Sequence, residues 1–227
     1  RTRENVISME KNIQKIFNAI EKLTKNNKKQ SLELIAVSKK KSTSDILEAL
    51  SLGINNFGEN YLQESLPKIT ELKNKNITWH FIGKIQSNKC KDIAENFEWV
   101  HTLDRLKIAK KLNEYTPLTK KLKVLIQVNL DHDENKGGIK KENLDEMIRN
   151  ITELKNLDFR GLMIMPSAKA KEEELRLLYK EAYSLADSIK NKEHNLELSM
   201  GMTNDFKIAI EEGSSMIRIG TGIFGER

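Results

Sequence analysis

Leu198-Ser199-Met200-Gly201-Met202-Thr203-Asn204-Asp205, followed by Met216-Ile217-Arg218-Ile219-Gly220-Thr221-Gly222-Ile223-Phe224-Gly225, is the stretch on which the fold turns. Two short apolar runs each end in small and hydroxyl residues, and one helix's worth of sequence separates them. As neighbouring parallel strands they bring backbone N–H groups and hydroxyls to adjacent tips, where a phosphate can sit. A (β/α)8 barrel carries such a cradle after its last two strands.

The same alternation recurs outward from this stretch. Apolar runs stand at residues 32–38, 56–58, 78–83, 99–102, 124–129, 161–165, 196–199 and 215–219, with helix-period segments between them. Eight strands alternating with helices predict a parallel α/β fold. Leu175, Leu178, Tyr179, Ala182, Leu185, Ala186 and Ile189 repeat at helical spacing, as do Leu144, Met147, Ile148, Ile151 and Leu154. Another helix opens at Ser42-Thr43-Ser44-Asp45, which resembles a capping box, and closes at Gly53.

Eight strands need eight covering helices, and only seven lie between them. Ile13, Ile16, Phe17, Ile20 and Leu23 form a further apolar stripe before the first strand, so an N-terminal helix supplies the eighth. The expected fold is a single TIM-type α/β barrel with an extra N-terminal helix, spanning residues 1–227 as one domain. No Pro/Ser/Gly-rich linker divides it. An open doubly wound sheet fits less well, because Lys39-Lys40-Lys41 stands where its Gly-rich fingerprint would follow the first strand.

The chain is 32% charged, with 39 Lys and Arg against 33 Asp and Glu and a net charge of +6. The basic pI of about 9.2 invites a nucleic-acid reading. The lysines, however, are interleaved with glutamates along the whole chain, as on solvated helix faces. One cysteine, Cys90, excludes an intrachain disulfide and fits a reducing compartment. No apolar stretch approaches the roughly 20 residues needed to span a bilayer. The charged opening Arg1-Thr2-Arg3-Glu4-Asn5 lacks the apolar core of a signal peptide. A cytoplasmic protein without nucleic-acid or membrane partners is expected.

The chemistry should lie at the strand tips. The first tip reads Val37-Ser38-Lys39-Lys40-Lys41. A lysine there can form a Schiff base with an aldehyde if its amine is neutral part of the time, and neighbouring cations with partial desolvation push a free value of about 10.4 downward. By itself the tripeptide reads better as a solvated cluster; beside a phosphate cradle, the Schiff-base reading takes over. In the last strand Arg218 and Gly220 share one face, while Ile217 and Ile219 take the other. The isoleucines suit the helix side, so Arg218 is expected to point inward. Thr203 is expected to cap the helix that ends at Gly213, with Asp205 in its first turn; a phosphate near Ser199 and Gly201 would then feel that helix N-terminus. Ser199 and Thr203 acting only as caps is the alternative.

These residues also resemble a family. Ala36-Val37-Ser38-Lys39, Phe57-Gly58-Glu59-Asn60-Tyr61-Leu62-Gln63-Glu64, Trp79-His80-Phe81-Ile82-Gly83, Ile85-Gln86-Ser87-Asn88-Lys89, Gly161-Leu162-Met163, Leu198-Ser199-Met200-Gly201-Met202 and Arg218-Ile219-Gly220-Thr221 occur in this order. Together they resemble the pyridoxal 5′-phosphate (PLP) homeostasis proteins of the YggS/PROSC type over nearly the whole chain. The resemblance implies a monomeric barrel related to the N-terminal domain of alanine racemase, with PLP at the strand tips. Lys39 matches the lysine of the internal aldimine. Ser199, Met200, Gly220 and Thr221 match the phosphate-binding positions, and Arg218 matches the arginine facing the pyridine nitrogen, which would leave that nitrogen unprotonated and weaken the ring as an electron sink. Lys41 fits a second lysine, and Lys136 lies where the family often has one after strand five. Lys84, Thr203 and Gly222 depart from the family pattern without touching Lys39.

The implied role is binding and delivery of PLP, with apo PLP-dependent enzymes as partners. The racemases of this lineage add a second, β-rich domain and a partner subunit that bring an opposing base to the cofactor. This sequence runs out at Gly225-Glu226-Arg227, so a carrier rather than an enzyme is expected. A small PLP-dependent racemase or decarboxylase is the competing class. Asn60 and Asn129 stand at strand tips and either touch the cofactor or cap helices.

Three features are set aside. Asp131-His132-Asp133-Glu134-Asn135 mimics a calcium loop, but Lys136 occupies the position that needs glycine. His80, His101, His132 and His194 show no metal-ligand spacing; His80 either lines the pocket or is a satisfied core residue. Cys90 lies with Ile93, Ala94 and Phe97 on an apolar stripe, as a core residue does.

Overall fold

Burial along β1 (Glu33–Val37) sorts its side chains into two sets. Leu34 and Ala36 join the large apolar cluster under the helices, whereas Ile35 joins a small separate cluster with Trp99, Leu125, Met163 and Met216. Two cores on opposite faces of one strand are what a closed sheet requires. The computed structural model, which describes residues 2–26, 31–189 and 195–226, bears this out.

The strands are β1, β2 (Asn56–Glu59), β3 (Thr78–Phe81), β4 (Trp99–Leu103), β5 (Leu122–Asn129), β6 (Ile139–Lys140), β7 (Leu157–Met163), β8 (Glu197–Ser199) and β9 (Met216–Ile219). Eight of them run in the order β4-β3-β2-β1-β9-β8-β7-β5, and pairing of β4 with β5 closes the ring. Every pairing is parallel. The expected TIM-type barrel is therefore the observed fold. The two-residue β6, which pairs with β5 outside the ring, is too short to carry a periodic signal.

The helices are α1 (Arg3–Thr24), α2 (Thr43–Ser51), α3 (Leu62–Glu71), α4 (Cys90–Asn96), α5 (Leu106–Tyr115), α6 (Leu144–Thr152), α7 (Glu172–Ser188), α8 (Phe206–Glu211) and α9 (Thr221–Phe224). The capping box of α2 forms as its sequence predicts: Ser42 Oγ accepts from Asp45 N at 3.1 Å, and Asp45 Oδ2 accepts from Ser42 N at 3.4 Å. With only four residues in α9, the last strand lacks a full cover. α1 supplies it, burying Met9, Ile13 and Ile16 and packing against α8 and α9, and Asn12 Nδ2 donates to Ile223 O at 3.1 Å. Fully buried isoleucines such as Ile46, Ile93 and Ile108 each stabilise the shell by about 1.5–3 kcal/mol.

Thr203 does not cap α8. Met202 O accepts from Asp205 N at 3.2 Å and Phe206 N at 2.8 Å, so this turn delays the helix until Phe206 and puts Asp205 before it. Thr203 is thereby freed to face the last strand. Cys90 is buried in the outer core, as expected, and burial raises its thiol pKa. Among the described residues no helix is long and apolar enough to cross a membrane, and no metal-binding cluster forms. His194 lies outside the described residues.

Candidate functional site

The site begins where β1 runs out. Ser38 N donates to Gly58 O at 3.0 Å, extending the β1–β2 ladder by one rung, and Ser38 Oγ donates to Glu59 Oε2 at 2.8 Å. Lys40 then takes a φ of 60°, a left-handed conformation costing an L-residue about 1–2 kcal/mol. Its amide donates to the Glu64 carboxylate, and Lys41 N closes the turn on Ser38 O at 3.0 Å. Beneath it Lys68, nearly buried, donates to Ser38 O at 2.9 Å, Glu59 Oε1 at 2.7 Å and Glu64 Oε1 at 2.8 Å. Burial pushes the Glu59 carboxyl pKa up, against the opposing pull of Lys68. Charge-assisted bonds thus hold the turn from below. They present Lys39, half-buried, at the rim.

Register places the other wall. Ala36 pairs with Ile219, so Val37 and Ser38 lie beside Gly220 and Thr221. A Cβ on Gly220 would stand 3.5 Å from Val37 Cβ. Thr221 Oγ1 lies 3.4 Å from Thr203 Oγ1, which accepts from Gly222 N at 3.2 Å. Two hydroxyls thus meet at the tips of β8 and β9. Gly201 has a φ of 105°, and a Cβ there would sit 2.7 Å from Ala209 Cβ, so only glycine lets the loop lie this close to α8.

Arg218 points into the barrel, 1% exposed, as the alternation of its strand predicts. One guanidinium nitrogen donates to Ser199 Oγ and the other to Ile164 O at 3.1 Å. Burial lowers its pKa to about 10, so it remains a cation at neutral pH, and Tyr179 and Asp205 pull the other way. Asp205 itself accepts from Tyr179 Oη and Met202 N, each at 2.7 Å. Ser199 Oγ also bonds to His101 Nδ1 at 2.8 Å. Met200, by contrast, turns its side chain into the outer core and donates its amide to Met216 O at 3.1 Å. Whatever Met200 adds to a phosphate site comes through backbone placement alone.

Asn60 and Asn129 each keep a buried Oδ1 with no hydrogen-bond partner. Asn60 is fixed by Gly83, where a Cβ would collide with Asn60 O at 2.0 Å. Asn129 Nδ2 donates to Asp133 O at 2.8 Å. Neither asparagine is the N-cap of a helix among the described residues. Lys136 spans two loops, donating to Asp131 Oδ2 and Met165 O at 2.9 Å each, which also closes the calcium-like loop on a cation of its own.

Sequence reasoning named Lys39, Asn60, Ser199, Met200, Arg218, Gly220 and Thr221, and the fold brings these strand ends to one end of the barrel, with the Met200 side chain turned outward. It expected hydroxyls at adjacent tips but assigned Thr203 to a helix cap, and the Thr203–Thr221 pairing depends on where α8 starts. It missed Lys68, whose helical neighbours Glu64, Ser65 and Glu71 are polar and give no signal of burial.

Comparison with known proteins accords with this geometry. Residues 10–227 match the family described as alanine racemase, N-terminal domain. A Haemophilus influenzae pyridoxal phosphate homeostasis protein is 43% identical over 208 residues, covering 89% of this chain and 88% of its own. This chain belongs to the pyridoxal phosphate homeostasis family. An Escherichia coli K12 homeostasis protein is 42% identical over 203 residues, covering 87% of each chain. PipY of Synechococcus elongatus, solved with PLP bound, superposes with a TM-score of 0.82 at 31% identity, covering 96% of this chain and all of its own.

Proposed function

We propose that this chain binds PLP through a covalent bond between Lys39 Nζ and the cofactor's aldehyde carbon, and that it holds and delivers the cofactor rather than catalysing a reaction with it. The observation that carries this reading is the meeting of a rigidly held lysine turn with the Thr203 and Thr221 hydroxyls on adjoining strands, with the Arg218 cation set into the barrel. The residues fit the group. PLP supplies an aldehyde that condenses with an amine and a pyridine ring that withdraws electrons. The Thr203 and Thr221 hydroxyls and the Gly220–Thr221 backbone serve the phosphate, beside Ser199 and Met200 at the end of β8. Arg218, a donor-only cation, faces the ring nitrogen and disfavours its protonation. The orphan oxygen of Asn60 offers an acceptor to a ring substituent.

The names of the relatives support a part in PLP homeostasis, and the PLP-bound PipY supports the choice of cofactor. We read the chain as a monomeric single domain acting in the cytoplasm, with apo PLP-dependent enzymes as recipients. The Asp205 carboxylate is engaged by Tyr179 and Met202, so it is not placed to act as an opposing base.

The test is the absorbance of the purified protein with PLP, before and after borohydride, followed by peptide mapping. A reduced adduct on Lys39 is expected. An adduct on another lysine, or none, overturns the assignment. Turnover of single-enantiomer amino acids at ordinary enzyme rates would overturn the carrier reading.

A further inference from the structure

Barrel interiors of this kind are usually filled with branched apolar side chains. This one holds two buried imidazoles in contact. His80 Nδ1 lies 2.9 Å from His101 Nε2, His80 Nε2 lies 2.9 Å from Asn56 Oδ1, and His101 Nδ1 lies 2.8 Å from Ser199 Oγ. Both histidines are fully shielded from solvent. Asn56 Nδ2 donates to Glu33 Oε2 at 2.7 Å, and Arg218 donates to Ser199 Oγ. Six side chains therefore form one continuous chain across the barrel.

The two ends of the chain decide its direction. The Glu33 carboxylate can only accept, and the Arg218 guanidinium can only donate. Asn56 must then turn its NH2 to Glu33 and its oxygen to His80, so His80 carries its proton on Nε2. His80 Nδ1 is left as an acceptor, which puts the His101 proton on Nε2 as well. His101 Nδ1 in turn accepts from the Ser199 hydroxyl. The Ser199 proton is thus committed to His101, and its oxygen offers lone pairs to Arg218. Reversing any link sets two donors or two lone pairs face to face. Aligned bonds of this kind polarise one another. The chain therefore points its negative end at a buried cation that has neutral acceptors, Ser199 Oγ and Ile164 O, as its hydrogen-bond partners.

We infer that Asn56, His80, His101 and Ser199 form a one-way hydrogen-bond relay that fixes Arg218 as an oriented donor toward the ring nitrogen of bound PLP. His80 and His101 are accordingly positioning residues for cofactor recognition. This rests on the PLP reading proposed above, and two measurements separate the two claims.

The first needs no cofactor. Two-bond proton–nitrogen correlation spectra of the protein, with the imidazole signals assigned through the variants below, should find both rings neutral and protonated on Nε2. A proton on Nδ1 of either ring overturns the relay, whatever the protein binds.

The second compares PLP with its 1-deaza analogue, in which carbon replaces the ring nitrogen. Wild-type protein should favour PLP by about tenfold, the order of one hydrogen bond to a charged group. His101→Leu, which fills the barrel but breaks the chain, should lose that preference. His101→Gln, which keeps a planar donor and acceptor, should retain it. A packing role alone would change both affinities together and leave the ratio intact, which overturns the inference. Equal affinities in the wild type overturn it as well. Should His101→Leu fail to fold, the tautomer spectra of the wild type still decide the matter. If no PLP can be trapped on Lys39, the functional reading fails, and the tautomers stand or fall by themselves.

Discussion

Lys68, on the third helix, donates to the backbone carbonyl of Ser38 at 2.9 Å, directly under the turn that presents Lys39. Its other two protons go to Glu59 at 2.7 Å and Glu64 at 2.8 Å, so a single ammonium group ties the end of β1 to the end of β2 and the start of α3. The lysine we propose as the cofactor's anchor is thus held by a second lysine that lies beneath it.

Lys68→Met should leave the Glu59 carboxylate buried and unpaired, a loss of about 3–5 kcal/mol. Urea denaturation checks it. The double change Lys68→Met with Glu59→Gln should recover much of that loss, since no uncompensated charge remains. A single variant within 1 kcal/mol of wild type would mean that the pair holds nothing together.

The two barrel histidines predict an acid limb in the stability curve. Burial lowers the His80 pKa to about 3, with Lys123 adding to the effect, and lowers His101 well below its ordinary 6.5, with His80 and Arg218 adding to it. Below pH 6.5 the unfolded chain binds these protons and the native chain does not. Stability should therefore fall as pH drops from 6.5 toward 5, by about 1.4 kcal/mol per pH unit for each ring. His101→Gln should halve the slope. A flat profile over this range would show that the rings titrate normally.

Thr203→Val and Thr221→Val remove the paired hydroxyls from the tips of β8 and β9. Each should weaken pyridoxine 5′-phosphate binding about tenfold, as expected for a lost bond to a charged group, and leave unphosphorylated pyridoxine unaffected. Calorimetry with both ligands checks this. An equal loss for the two would place the hydroxyls elsewhere than at the phosphate.

Lys39→Ala should abolish the borohydride-trapped adduct yet retain weaker, non-covalent PLP binding through the remaining phosphate and ring contacts. Equilibrium dialysis measures it. Unchanged affinity would remove Lys39 from the site.

The eight ring strands and the inward Arg218 could be read directly, because alternation along Met216–Ile219 and short apolar runs between helical segments are local signals. Lys39 was legible because it follows a strand. Features that depend on register were not. His80 and His101 are 21 positions apart and meet only because His80 pairs with Trp99, which stacks on it at 5.6 Å between centroids. Met200 reads as part of a cradle by its neighbours, yet strand alternation sends its side chain outward. Lys68 reads as one more solvated lysine in a chain rich in them, and only the fold reveals the two carboxylates that justify burying it.

β1 pairs with β9, the first strand with the last, and Lys39 and Thr221 stand just beyond the ends of these two strands. During synthesis the proposed cofactor site is incomplete until the ninth strand has left the ribosome and joined the first. Once it has, an occupant touching both edges acts as a clasp. Vitamin supply should therefore tighten the seam of the ring itself, slowing its opening in proportion to the cofactor at hand.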